Sequence, residues 1–296
     1  AGHLKLRLER KDWKVEWMGG RSLGPLENLK PVDLVFVAIS TLDKGEAARD
    51  WILFFVRRGI PVVTCEKGAW AYHASQLHPW RKHIGYNASC GGGTELLRFL
   101  EKHKVSASYG MTEIVLNASL NFLFSAMGEG VSIEEACQKA EELHLLEPGS
   151  DGPLSRINGE LREAVLKTYV AWNTVFAQKY FISPRGLSIP QLSADELEEL
   201  IKEARHYRYV VSLTNYTDGF GPQVFPAEFR LRVGKWHIKG GFERFAEEYK
   251  WISDGPTNGV HIIDPTVPEN PLHSGPGAGH GPTTRVMLND AYRLLY

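Results

Sequence analysis

Cysteine is scarce in this chain of 296 residues: Cys65, Cys90 and Cys137 lie far apart, and no C-x-x-C pair occurs. That spacing excludes a disulfide framework and the common zinc sites, and reads as reduced thiols of an intracellular protein. An excess of one charge is also missing. Thirty-four basic side chains stand against 35 acidic ones, for a net charge of -1, so neither the basic footprint of a nucleic-acid binder nor a polybasic membrane patch is present. Long hydrophobic runs are lacking too. The most apolar stretch, WILFFVRRG at 51–59, is broken by Arg57 and Arg58, well short of a bilayer span. The opening AGHLKLRLER has no apolar h-region of a signal peptide. These absences predict a cytoplasmic protein with no nucleic-acid and no membrane partner.

What remains is the composition of a globular protein with a sizeable core, since 43% of residues are hydrophobic. The length suits two domains or one large one. The first third alternates strand and helix patterns. VDLVFVAIS (32–40) is a continuous apolar run, DKGEAARDWILFFVRRG (43–59) is helical with Gly59 as its C-cap, and IPVVTC (60–65) is a second strand. AYHASQLHPWRK (71–82) predicts a helix ending near Pro79, and HIGYNAS (83–89) a further strand. The β-α-β order argues for a parallel, doubly wound, Rossmann-like sheet. Upstream, residues 3–13 suit a helix and KVEWMGG a strand. The strand that should precede them is not seen, and Ala1-Gly2 is at most the tail of a G-x-G-x-x-G phosphate loop.

The middle is helical. Ser132 with Glu135 has capping-box spacing, and one long helix is predicted from Arg156 to Gln178. The capped helix SADELEELIKEARHY follows, then YRYVVSLTNY, QVFPAEFRLRV and NGVHIID, which alternate like antiparallel strands, with TDGF as a turn. Two glycine clusters feed helices: CGGGTELLRFL (90–100) and SGPGAGHGPTTRVMLND (274–290). Glycines at such junctions let backbone amides face a ligand at a helix N-terminus. The expected division is a nucleotide-binding domain over 1–115, completed by the C-terminal helix 276–296, and an α+β substrate and dimerisation domain over 116–275 with a mixed or antiparallel sheet.

Seven segments stand in collinear order: VDLVFVAIST, VVTCEKGAWA, YNASCGGGTELLRFL, EIVLNASLNFLFSAM, SIEEACQKAEELHLLEP, GLSIPQLSADELEELIKEARHYRYVVSL and GPGAGHGPTTRVMLND. With them the chain resembles the homoserine dehydrogenase family, in the form without a C-terminal regulatory domain, over nearly its whole length. The resemblance implies an NAD(P)-dependent oxidoreductase interconverting L-homoserine and L-aspartate 4-semialdehyde, in threonine and methionine biosynthesis. Lys67 in VTCEKGAWA falls on the family's cleft lysine. Glu147 in LLEPGSD matches the glutamate that binds the substrate ammonium, with Asp151 as a further carboxylate. Glu163 and Lys167 fall nearest the family's Asp-x-x-x-Lys pair, and a separation of four puts both on one helix face. Lys167 would exchange the proton, with Lys67 and Glu163 beside it. Gly91, Gly92 and Thr283 would meet the substrate, and Thr284 lies beside them.

For the cofactor, the resemblance points to Gly2, Arg21, Ser22, Ser40, Thr41, Lys67, Gly277 and Gly279. Arg21 and Ser22 stand where a ribose-facing acid would mark NAD, and an arginine there suits a 2′-phosphate. NADP is therefore expected, with NAD as the alternative. A weak monovalent-cation site at the carbonyls of Cys90, Gly92 and Thr94 is also implied, although Asn87 replaces the glutamate that helps to hold it and Ala118 stands where a glycine is usual. The partners implied are a small amino-acid substrate and a second copy of the chain, as a homodimer through the second domain's sheet. Two other readings stay open: a related amino-acid or semialdehyde oxidoreductase with a changed substrate, and an inactive homologue serving as a binding or regulatory protein.

Overall fold

Three β-branched residues, Val62, Val63 and Thr64, have no solvent exposure and form the middle strand of a small parallel sheet. The computed structural model describes residues 8, 13–15, 31–41, 43–146, 151–177, 179–215, 225–245 and 251–296. Strand β1 (Val35–Val37) leads into helix α1 (Glu46–Val56), then β2 (Val62–Thr64), α2 (Gly68–Leu77) and β3 (Ile84–Gly85). The strands pair in parallel in the order β1-β2-β3. Alternation along them feeds two cores. Val35, Val37 and Val62 pack with α1 and α2, whereas Phe36, Ala38 and Val63 pack with Val286, Met287 and Ala291 of the last helix. Both faces are thus covered, as a parallel sheet requires. Gly59 ends α1 as its sequence position suggests: at φ +79° its N–H bonds the Val56 carbonyl, and Ile60 N–H bonds that of Phe55.

Some boundaries differ from the sequence pattern. The helix of 71–82 continues beyond Leu77 as a 3₁₀ turn over His78–His83, because Pro79 cannot donate to an α-helical ladder. The strand expected over 83–89 shrinks to two residues, followed by a 3₁₀ turn at Asn87–Ser89. The upstream helix and strand patterns, and the TDGF turn, lie outside the described residues or almost so.

Helices α3 (Leu96–Lys102) and α4 (Lys104–Tyr109) lead to β4 (Met111–Val115), a strand the sequence reading passed over. It lies inside a second sheet of order β6-β7-β5-β4-β8-β9, antiparallel throughout. The other strands are β5 (Tyr207–Thr214), β6 (Phe229–Val233), β7 (Trp236–Arg244), β8 (Thr257–Ile263) and β9 (Leu272–Pro276). The second sheet therefore begins ahead of residue 116. Helix α5 (Ala118–Gly128) covers one face, where Phe124 meets Phe242 at 4.6 Å. Helix α6 (Ile133–Glu142) is capped by Ser132 Oγ accepting from Glu135 N–H. The full reciprocal capping box occurs instead at Ser193 and Glu196, ahead of α8 (Ala194–Lys202).

Between them runs α7 (Pro153–Ala171), which opens with Pro153 at its first position and ends in a π turn, Trp172–Phe176. The wide turn points Asn173 inward. Its amide donates to the carbonyls of Trp70 (3.0 Å) and Ile182 (2.8 Å) and accepts from Ile182 N–H (3.0 Å). Trp70 belongs to α2, so this buried amide ties α7 to the parallel sheet's helix layer. Helix α9 (His280–Leu295) closes the chain.

Candidate active site

The charges that follow β2 divide at once. Glu66, 2% exposed, folds back over the start of α2. Its two carboxylate oxygens accept from Gly68 N–H and Ala69 N–H, each at 2.7 Å, and Oε1 also accepts from the Thr41 hydroxyl at 2.5 Å. A carboxylate at a helix N-terminus satisfies orphan donors and the positive end of the dipole together. Glu66 is therefore a cap, and it fixes Thr41 at the carboxyl end of β1. Ser40, its neighbour in sequence, is exposed.

Lys67 turns the other way and ion-pairs with Glu163 of α7. Burial pulls the lysine's pKa down, but the carboxylates of Glu163, Glu160 and Glu66 outweigh it and leave the ammonium above its ordinary range. Glu163 thus holds Lys67 across the interface between helices, and among the described residues it forms no ion pair with Lys167.

Glu160, Glu163 and Lys167 are spaced i, i+3, i+7 along α7 and so share one face. Glu160 was not singled out from sequence, although counting one turn back from Glu163 would have found it. Asn117 donates its amide to Glu160 Oε2 at 2.9 Å and to the Glu160 carbonyl at 2.8 Å. The same asparagine caps α5, accepting from Leu120 N–H at 3.0 Å. Burial raises the Glu160 pKa, with the Lys167 ammonium and the Asn117 bond opposing. Cys90 completes the group. Its thiol lies 3.7 Å from the Lys167 carbonyl and is pushed up to about 12 by burial despite the fields of Lys167 and Lys67, so it stays a thiol.

Above this cluster the two glycine loops meet. Gly91 and Gly92 have φ of +88° and +53°, and a Cβ on Gly92 would lie 2.4 Å from the Gly277 carbonyl oxygen. A Cβ on Gly277 would lie 2.5 Å from Ala118 Cβ and equally close to the Asn258 amide. Thr94 Oγ1 donates to the carbonyls of Gly275 and Pro276, both at 3.0 Å. Asn258 is buried beneath Gly277, and among the described residues neither of its amide atoms has a hydrogen-bond partner. Gly279, at φ +97°, caps α9, and Thr283 begins its ladder by donating N–H to the Gly279 carbonyl. Thr284 is buried.

Other expected residues fall elsewhere. Asp151 is exposed and lies ahead of the first residue of α7, Pro153. Gly2, Arg21, Ser22 and Glu147 lie outside the described residues. At the implied cation site the Thr94 carbonyl already meets His273 Nε2 at 2.6 Å. Asn87 pairs instead with Asp290 of α9, donating Nδ2–H to Oδ1 at 2.6 Å and N–H to Oδ2 at 2.9 Å. Among the described residues no group of three or more His, Cys, Asp or Glu side chains is arranged to hold a metal, and no helix is long and apolar enough to cross a membrane.

Comparison with known proteins bears on the family and the fold. The family model described as homoserine dehydrogenase matches residues 96–291, well over half of the chain. A homoserine dehydrogenase of Lactococcus lactis is 23% identical over 275 residues, 91% of this chain and 60% of the relative. An NAD(+)-dependent homoserine dehydrogenase of Pseudomonas canavaninivorans is 26% identical over 258 residues, 84% of this chain and 67% of the relative. The chain thus spans about three fifths to two thirds of the length of these relatives. Among solved structures, a homoserine dehydrogenase of Thermoplasma acidophilum matches with a TM-score of 0.69 at 15% identity, over 99% of this chain and 83% of that one. A hyperthermophilic archaeal homoserine dehydrogenase in complex with NADPH gives 0.61 at 18% identity, over 99% and 82%.

Proposed function

The chain belongs to the homoserine dehydrogenase family, and from that premise we propose that it is an NAD(P)-dependent oxidoreductase interconverting L-homoserine and L-aspartate 4-semialdehyde. The observation that carries the reading is the joining of Lys67, Glu160, Glu163 and Lys167 under two interlocked glycine loops. The residues fit a nicotinamide. Thr41 and Lys67 stand at the carboxyl ends of parallel strands, where ligands bind in such sheets. The bare backbone at Gly91, Gly92 and Gly277, with the orphaned amide of Asn258 below, forms a polar cradle without side chains. When bound, the nicotinamide supplies the hydride to the aldehyde carbon, or takes it from the alcohol carbon in the reverse direction.

The protein handles the proton. In reduction, Lys167 gives an Nζ proton to the carbonyl oxygen as its carbon gains the hydride. In oxidation, neutral Lys167 takes the hydroxyl proton. Lys67, held charged by Glu163, offers a second cation toward the same oxygen, where negative charge develops. NADP is the proposed cofactor, on the strength of Arg21. The archaeal enzyme bound to NADPH and the NAD(+)-dependent Pseudomonas relative mark the two alternatives. The reading includes a nucleotide-binding unit of residues 1–115 with 276–296, save that β4 joins the second unit, a homodimer through the antiparallel sheet, and a cytoplasmic location.

The test is reduced-nicotinamide production from L-homoserine, with NADP and NAD in parallel. Lys167→Ala is expected to lower kcat by about 10²- to 10⁴-fold, the usual worth of a positioned acid–base group, with the melting temperature kept. No turnover with either cofactor, from folded protein, would overturn the assignment.

A further inference from the structure

Two asparagines of α7 strap an irregular segment along the helix. Asn173 exchanges a pair of bonds with the backbone of Ile182. Asn158 does the same with Leu192, accepting from its N–H at 2.8 Å and donating to its carbonyl at 3.0 Å. Between these clamps residues 183–191 form neither helix nor strand. They turn once, where Leu187 N–H bonds the Pro184 carbonyl at 3.2 Å and Gly186 takes a φ of +79°. Arg185 stands at the tip of that turn. A loop fixed at both ends leaves a preformed space against the helix. A pocket of about 600 Å³ lies there, lined by Arg162 of α7 and by Leu187, Ser188, Ile189, Pro190 and Gln191 of the strap.

The charge at this place is unspent. Arg49, Arg98, Arg156 and Arg208 each meet a carboxylate. Arg162 and Arg185 do not, and among the described residues neither guanidinium has a hydrogen bond or an ion pair. Their surroundings are shared. Burial raises the pKa of Tyr72 on α2, Glu163 adds to the rise, and the fields of Arg162 and Arg185 both oppose it. Arg185 acts on the neighbouring His73 as well. No carboxylate lines the pocket, and Glu163, next to Arg162 in the chain, is already held by Lys67. The Tyr72 and Ser188 hydroxyls and the Gln191 amide likewise have no partner among the described residues.

We propose that this pocket binds a small organic anion through a phosphate or carboxylate group, with Arg162 as the main contact and Arg185 adding its charge from the turn. A guanidinium presents a planar fork of donors that matches either oxyanion, and it sheds water more readily than an ammonium. The volume is that of a small-molecule site rather than of a single ion. Arg162 is set about 100° around α7 from Glu163, as consecutive helical residues are. The pocket thus adjoins the Lys67–Glu163 pair without including it, and its occupancy does not depend on the activity proposed above.

The experiment is calorimetric titration of the full chain with inorganic phosphate and, separately, with succinate, at constant ionic strength set by chloride. One equivalent of at least one of them should bind. Phosphate alone would mark a phosphorylated ligand, succinate alone a carboxylate one, and either upholds the site. Arg162→Gln should weaken binding by about 10- to 100-fold, the scale of a lost charge-assisted contact. Arg185→Gln should weaken it less, because that side chain is exposed. Arg57→Gln, which removes an exposed arginine at the end of α1, should change nothing. Should Arg162→Gln fail to fold, Ser188→Asp serves instead, since a like charge in the pocket should abolish binding. Absence of saturable binding by both anions, equal affinity in folded Arg162→Gln, or an equal loss in Arg57→Gln overturns the inference. So does competition by NADP, which would make the pocket part of the nucleotide site.

Discussion

Two regions of this molecule gather carboxylates and lysines in partly buried surroundings, and they differ in how the charges are used. On the second sheet, Glu113 of β4 stands opposite His261 of β8, with the His261 Nδ1 at 3.9 Å from its carboxylate. Nearby on β7, Lys239 pairs with Glu243 at 3.0 Å and lies 4.1 Å from the Phe225 ring centroid. On α7, Lys67 pairs with Glu163 while Lys167 and Glu160 stay apart. The sheet's cationic head is engaged by both a carboxylate and an aromatic face. The cluster on α7 adjoins two loops whose glycines keep the backbone bare. Buried charge alone therefore does not mark a site. A site is marked when charge is held but not fully spent, next to space shaped by the main chain.

Replacing the lysine of each region gives the sharpest contrast. On the proposed mechanism, Lys67→Met should lower kcat/KM by about 10²-fold, since it would remove a cation from the reacting oxygen and leave Glu163 without that ion pair. Lys239→Met should leave turnover within about twofold and appear instead as a lower melting temperature. Equal losses of turnover would dissolve the distinction. Steady-state kinetics beside thermal melts decide it.

The next effect belongs to stability. Burial, with help from Glu243 and against Lys239, raises the Glu113 pKa to about 7. The folded state thus holds a proton that the unfolded chain releases near pH 4.5, the ordinary glutamate value. Between those values the folded state binds more protons, so stability falls as pH rises, and the full cost is present above pH 7. Glu113→Gln should remove that cost, on the order of 3 kcal/mol at pH 8, and change little below pH 4.5. Denaturant melts at the two pH values check it. A gain of equal size at both would mean that packing, not ionisation, is at work.

The fold was legible wherever pattern and local chemistry agreed. The covered strand at 62–64, the Gly59 cap and the antiparallel run from Tyr207 to Ile263 all follow from alternation and turn residues. Strand β4 was not legible, because MTEIV carries a half-buried glutamate in the middle of a short run and a helix cap follows at Asn117. The site was legible in part. Lys67, Glu163 and Lys167 do converge, but which carboxylate pairs with which lysine depends on how α7 packs on α2, to which the inward amide of Asn173 ties it. Glu66 reads as a surfacing charge in sequence, whereas its bonds to two amides and a hydroxyl allow it to be buried. Periodicity has no means of seeing such partners.

The smallest effect tests the seam between the two glycine loops. His273 lies just ahead of the GPGAG loop, where a histidine invites a catalytic reading. Its ring instead stacks on Phe99 at 5.0 Å, with 14° between the planes, and its Nε2 bonds the Thr94 carbonyl at 2.6 Å. His273→Phe keeps the stacking and loses only the bond, so it should cost about 1 kcal/mol of stability and leave kcat near the wild-type value. A much larger loss of turnover at that small cost in stability would show that the bond sets the register of the glycine loops over Lys167. The boundary between held structure and working site would then run through β9, and the contrast between the two charged regions would have to be redrawn to include it.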